Sequence, residues 1–169
     1  DILVGMSEHL NLIHHAKKYI YINTPYLILN DAISRALKVA SESGVDVRIL
    51  VPHIPDKKLV FQITRHSYKA LIESGIKIYE FTPGFNHSKA IVCDDEYGLV
   101  GSINTDFRSY FLHFEDAVLM YKTEAVKDVK KDFLQSLEKS HEVTMKEVNR
   151  TPLILKIIRA ILTLFIPLV

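Results

Sequence analysis

Apolar residues at Leu10, Ile13 and Ala16 recur at helical spacing and predict a helix from Met6 to Lys18. Tyr19 to Thr24 then alternates as a strand until Pro25 stops it. Asn30 and Asp31 are capping residues for a second helix, Ala32 to Ser43, closed by Gly44, and Val45 to Val51 is a β-branched strand ended by Pro52. Asp56 is suited to cap a third helix that runs to Ser74 and stops at Gly75, after which Ile76 to Phe81 alternates as a strand up to the Pro83-Gly84 turn. A β-α-β-α-β order implies parallel strands. The pattern then changes: Ser88 to Cys93 and Gly98 to Ser102 are separated only by a short polar segment, too little chain for a crossover helix, so they predict a hairpin. A strand from Glu115 to Tyr121 and an amphipathic helix from Glu124 to Ser140 complete the pattern. The expected fold is α/β, a mixed β-sheet flanked by helices on both faces, followed by a C-terminal amphipathic helix.

That last segment sets the domain division, with residues 1–150 as one domain and 151–169 as an apolar tail. Between Leu153 and Ile166 the only polar residues are Lys156, Arg159 and Thr163, three and four apart, so a helix there carries one narrow polar stripe. Its 14 residues would span about 21 Å at 1.5 Å per residue, short of the ~30 Å hydrocarbon core. The tail is therefore expected to lie on a membrane surface through residues 152–169, with Lys156 and Arg159 reaching anionic headgroups, the alternative being a helix docked on the protein's own core.

Composition narrows the picture. A net charge of +1 gives none of the global basic footprint of a general nucleic-acid binder, so any anion site must be local. The single cysteine, Cys93, sits in an apolar run and reads as a packing residue in a reducing compartment, which points to the cytoplasmic face of the cell membrane. The opening residues from Asp1 carry neither a charged leader nor a long apolar stretch, and the expectation is that the chain is the end of something longer.

The chemistry-bearing residues begin at His87-Ser88-Lys89, where the two-residue period of a strand sends His87 and Lys89 to one face. An imidazole beside an ammonium offers a nucleophile or proton donor together with positive charge for phosphate oxygens. Ser102 and Asn104 add neutral donors, and Glu115 is the candidate carboxylate to hold the far nitrogen of His87. Asp94, five residues beyond Lys89, would lie roughly 20 Å from His87 at ~3.3 Å per residue, which assigns it a structural place in the hairpin turn.

His87-x-Lys89-x-x-x-x-Asp94 followed by Gly101-Ser102-x-Asn104 resembles the HKD signature of the phospholipase D superfamily. Thr24-Pro25-Tyr26, Gly44 to Ile49, Pro52, Pro55-Asp56, Asp106-x-Arg108-Ser109 and Phe114-Glu115 extend the resemblance to the C-terminal half of bacterial cardiolipin synthases, over nearly the whole chain. The resemblance implies a metal-independent double displacement through a phosphohistidine, with His87, Lys89, Asp94 and Glu115 as the catalytic set and Ser102 and Asn104 binding substrate. It also implies the substrate, two phosphatidylglycerol molecules giving cardiolipin and glycerol.

This chain departs from the family pattern in carrying one HKD motif where complete enzymes carry two, and in having His113 where Asn commonly precedes Phe-Glu. One motif supplies nucleophile or general acid but not both, so the second is expected from an N-terminal half or from a second copy. The alternatives are a homodimeric single-motif nuclease and an inactive half-domain that binds lipid. His9, His14, His15, His53, His66 and His141 lack metal-ligand spacing and read as surface or satisfied core residues, and neither metal nor other cofactor is expected.

Overall fold

A computed structural model describes residues 3–166. Seven strands form one sheet: β1 (Tyr19–Asn23), β2 (Asp46–Pro52), β3 (Lys77–Phe81), β4 (Ala90–Cys93), β5 (Tyr97–Gly101), β6 (Ala117–Tyr121) and β7 (Ser140–Glu142), in the spatial order β6-β5-β4-β1-β2-β3-β7. The first three are parallel and the rest pair antiparallel. Because helices cover β1 to β3 on both sides, their buried residues are apolar on both faces. Ile20, Ile22, Val47, Ile49 and Ile78 face one layer, and Tyr19, Tyr21 and Leu50 face the other.

The first layer holds α1 (Val4–His15), α2 (Asp31–Glu42) and α3 (Lys58–Glu73), which bury Leu12, Ile13, Ile33, Leu37, Tyr68 and Leu71 against the sheet. On the other face α5 (Glu124–Leu137) packs Val126 and Phe133 on Tyr21 and Leu50, with the Phe133 ring stacked on Tyr21 at 5.0 Å. The mixed sheet with helices on both faces is thus as the hydrophobic pattern predicts. Asn30 caps α2 as expected, its side chain accepting from the Ile33 N–H at 2.9 Å. His9 is the satisfied core histidine foreseen, buried against the Tyr110 hydroxyl at 2.7 Å, and burial pushes its pKa down to about 4.

Some expectations fail. Asp56 does not cap α3: Lys57 stands at that position, while the Asp56 carboxylate accepts from the Lys57 N–H (2.7 Å) and the Tyr26 hydroxyl (2.5 Å). The helix from Glu124 ends at Leu137 rather than Ser140, because Ser140 is drawn into β7 on the free edge of β3. Two short helices, α4 (Phe107–Phe111) and α6 (Met145–Arg150), are additions to the predicted pattern.

The tail forms α7 (Leu153–Thr163), but Arg159 of its polar stripe points inward. Arg159 is buried and its Nε donates to Gln62 of α3 at 2.9 Å, so the expectation that Arg159 reaches lipid headgroups from the exposed side is corrected. Lys156 remains exposed. The apolar residues Leu153, Ile154, Ile157, Ile158, Ile161, Leu164 and Phe165 are turned to solvent. No helix among the described residues is long and apolar enough to cross a membrane, and the last three positions of the expected surface segment, 167–169, lie outside the described residues.

Candidate active site

Asn23 at the end of β1 is opposite Ala90 at the start of β4, so the His87-Ser88-Lys89 approach to β4 reaches the sheet at the carboxyl ends of the parallel strands. Open α/β sheets bind ligands at such ends. Lys89 extends the β4 pairing, its carbonyl accepting from the Gly101 N–H at 3.2 Å, and its Nζ donates to the His87 carbonyl at 2.8 Å. His87 itself is exposed, with its ring 5.3 Å from that of Phe85.

Partial burial and then the Lys89 ammonium hold the His87 imidazole below its ordinary pKa, against the opposing pull of Asp56. That direction favours the neutral imidazole, the form a nucleophile needs. Burial lowers Lys89 in turn, offset by the carboxylates of Glu115 and Asp106, which puts all three in one electrostatic neighbourhood.

The β5–β6 pairing builds the opposite wall. Ser102, one residue past β5, exchanges backbone and side-chain bonds with Asp116: its N–H donates to the Asp116 carbonyl (2.7 Å) and its Oγ accepts from the Asp116 N–H (2.9 Å). Gly101 is required by this closeness, since a Cβ there would lie 2.1 Å from the Asp116 carbonyl and 2.5 Å from Ala117 Cα. Gly101→Ala should force β5 and β6 apart and cost about 1–3 kcal/mol, measurable by urea unfolding; wild-type stability would refute the close approach.

Glu115 is placed by that wall rather than by His87. Its carboxylate accepts from the Ser102 hydroxyl and from the Ser109 hydroxyl at 2.7 Å, and no hydrogen bond among the described residues joins it to His87. The expectation that Glu115 orients the histidine ring is therefore not met in this arrangement, because two hydroxyls reach the carboxylate first. His113 Nδ1 lies 3.6 Å from the same carboxylate, so the residue replacing the family's Asn sits at the network's edge. Ser102, expected to donate to phosphate oxygens, has its proton directed at Glu115.

Asp94 is far from these groups along β4. Its carboxylate accepts from the N–H groups of Lys17 (2.7 Å), Lys18 (2.9 Å) and Tyr19 (2.9 Å), clamping the turn between α1 and β1. The structure does not bring it to His87, and the structural place inferred from strand length matches this geometry.

Three neighbours carry roles that sequence reasoning left unassigned. Ser109 ties the site together, its Oγ donating to Glu115 and accepting from the Asn104 N–H at 3.1 Å. Asp106 caps α4 through the Ser109 N–H at 2.8 Å and is buried, which raises its pKa. Asn23 shares a small recess with Lys89, and its Oδ1, like that of Asn104, is buried without a hydrogen-bond partner among the described residues. An amide ending an otherwise apolar strand was the signal available for Asn23. Among the described residues no group of three or more His, Cys, Asp or Glu side chains is arranged to hold a metal ion.

The family model for the phospholipase D-like domain of cardiolipin synthase matches residues 9–137. The chain belongs to the phospholipase D superfamily. Within it, this phospholipase D-like domain is 39% identical over 165 residues to a cardiolipin synthase of Halalkalibacterium halodurans, covering 98% of this chain and 33% of that protein. The chain spans about a third of the length of the curated relatives it matches. Its fold is shared with the family member Nuc from Salmonella typhimurium, with a TM-score of 0.71 and 20% identity over 82% of this chain and 90% of Nuc. Phosphatidylserine synthase from Haemophilus influenzae aligns with a TM-score of 0.69 and 17% identity, covering 94% of this chain and 41% of that one.

Proposed function

We propose that this domain supplies one half-site of a cardiolipin synthase, transferring a phosphatidyl group between two phosphatidylglycerol molecules. The observation that carries the reading is an exposed imidazole at His87 beside Lys89, in a chain with relatives named cardiolipin synthase. In the first displacement a histidine nitrogen bonds to phosphorus as the bond from phosphorus to the glycerol oxygen breaks. The leaving oxygen takes its proton from the second histidine, and glycerol departs. In the second displacement a hydroxyl of another phosphatidylglycerol attacks the phosphohistidine, returns its proton to that second histidine, and frees the nucleophile.

Lys89 offsets the charge that builds on the phosphoryl oxygens, and Ser102 and Asn104 offer neutral contacts to them. Phosphate entering would compete for the Ser102 proton now given to Glu115, leaving that carboxylate available to a histidine. The second HKD motif comes from the remainder of a longer protein or from a second copy, and His87 takes whichever role the other histidine does not. The test is cardiolipin formation from phosphatidylglycerol vesicles, run beside plasmid DNA. DNA cleavage without lipid transfer would instead establish the single-motif nuclease, a reading favoured by the fold shared with Nuc but opposed by the net charge of +1.

The same reading puts the domain at the cytoplasmic face of the cell membrane through α7. With Arg159 and Leu162 turned inward, the helix leaves an outward row of aliphatic side chains, and a bilayer is the partner that also holds the substrate. Ile154 and Ile161, 66% and 51% exposed, lie seven residues apart on that row. Replacing both with Asn should weaken vesicle binding by about tenfold or more in a flotation assay, while thermal stability stays unchanged. Undiminished flotation would remove α7 from the membrane contact.

A further inference from the structure

Away from His87, the cavity under α7 is bounded by α3, α6, β3 and β7 and has a volume of about 340 Å³, with His53, Arg65, Glu80, His141, Glu147 and Arg159 on its walls. Its acids are already engaged. Glu80, only 2% exposed, accepts from Arg65 through both oxygens (3.0 and 2.7 Å), from Tyr68 (3.1 Å) and pairs with His53 (2.7 Å). Glu147 is held by the Thr144 N–H and hydroxyl and by His141.

Arg159 is the cation left over. It is 8% exposed, lies in the same wall as Arg65, and has an uncharged amide, Gln62, as its side-chain hydrogen-bond partner, with no carboxylate within ion-pair distance among the described residues. Glu80 attracts it only from beyond ion-pair distance and is already held by Arg65, Tyr68 and His53, and a buried guanidinium so incompletely compensated is costly. A second recess of about 150 Å³ adjoins the first and shares Arg65 and Arg159, and its other charged walls are Lys69 and Lys156, beside His66, with no carboxylate in its lining. The two recesses thus meet at Arg65, whose Nε and Nη2 are held by Glu80, and Arg159, whose Nε is held by Gln62, and the remaining guanidinium N–H groups are the donors left for phosphate oxygens.

We propose that Arg159 and Arg65 form a second anion site, separate from the His87 centre, that takes the phosphate group of a phospholipid headgroup or a free phosphate ester. Lys69 and Lys156 guide the anion in, and the volume accommodates a glycerophosphate-sized group. The site does not depend on the transfer reaction assigned to His87.

The test follows the ring resonances of His53 and His66, one on each recess, as the chain is titrated with inorganic phosphate and, separately, with phosphatidylglycerol nanodiscs. Phosphate at the catalytic centre registers at His87 instead, so the two sites report independently. Saturable shifts at His53 and His66 with inorganic phosphate identify a free-phosphate site. Shifts with nanodiscs that inorganic phosphate does not reproduce identify the lipid headgroup. In either case Arg159→Met, which keeps the side-chain bulk, should weaken the response by about tenfold, the effect of one lost charge-assisted contact. Lys69→Gln with Lys156→Gln, both at the exposed rim, should weaken it less and serves if the Met variant does not fold. Unmoved resonances with both probes, or full binding by the folded variants, would overturn the proposal.

Discussion

His87→Ala should abolish cardiolipin formation in the assembly that completes the site, without unfolding the domain. His87 is exposed, so its truncation should alter stability by no more than about 0.5 kcal/mol. The size of the kinetic loss separates its two possible roles. Removing a general acid costs roughly 10²–10⁴-fold, whereas removing a nucleophile costs up to about 10⁶-fold. Reactions stopped in neutral denaturing detergent with phosphorus-labelled lipid add a direct reading, because label retained on the Ala variant's assembly means the other histidine is the one that bonds to phosphorus. Activity within tenfold of wild type would end the assignment of His87 to the chemistry.

Lys89 is bound up with that result. Its ammonium helps keep the imidazole neutral, since a second positive charge nearby disfavours the imidazolium, and the same charge is available to the phosphoryl oxygens. Under the proposed function, one residue thus helps hold the histidine below its ordinary pKa and offsets the charge that builds during transfer. Both effects need only that the strand approach hold the two side chains near one another, which the Lys89 contact to the His87 carbonyl does.

The elements legible in the sequence are those long enough to show a period. The helices of α2, α3 and α5 and the strands β1 to β3 repeat their apolar residues often enough to be assigned, and the His87, Lys89 and Gly101-Ser102-x-Asn104 positions follow from motif spacing. By contrast β7 is Ser-His-Glu, three polar residues with no strand signal, paired only because the β3 edge is near. The partner of Glu115 was hidden for a related reason. Which group reaches a carboxylate first depends on how β5 and β6 bring Ser102 and Ser109 together, and spacing along the chain carries no trace of that.

The polar stripe on α7 shows a third kind of limit. Its periodicity was plain, but an amphipathic helix with a narrow polar stripe can turn that stripe to water or to protein. Here Gln62 draws Arg159 inward beside Leu162 while Lys156 stays exposed, so much of the hydrophobic side becomes the outer surface. The direction of a face is a tertiary property.

Asp94→Ala should be the most destabilising change within the HKD motif, while leaving transfer per folded molecule intact. The carboxylate accepts three backbone N–H groups at 2.7–2.9 Å, which join the β4–β5 turn to the α1–β1 turn across the sheet. At about 1 kcal/mol net for each bond, their loss costs about 3 kcal/mol. Asp94 also has a φ of 56°, a left-handed conformation that Asp and Asn tolerate but Ala adopts at a cost of about 1 kcal/mol more. Asn, by contrast, keeps a carbonyl for Lys18 and Tyr19 and loses only the bond from Lys17. Gly removes every carboxylate contact but relieves the backbone. The expected order of stability is wild type, Asn, Gly, Ala, with the Ala variant melting roughly 8–16 °C below wild type at 2–4 °C per kcal/mol. An Ala variant that melts within 2 °C of wild type would mean that the clamp holds little, and one that folds normally yet fails to transfer would return Asp94 to the chemistry.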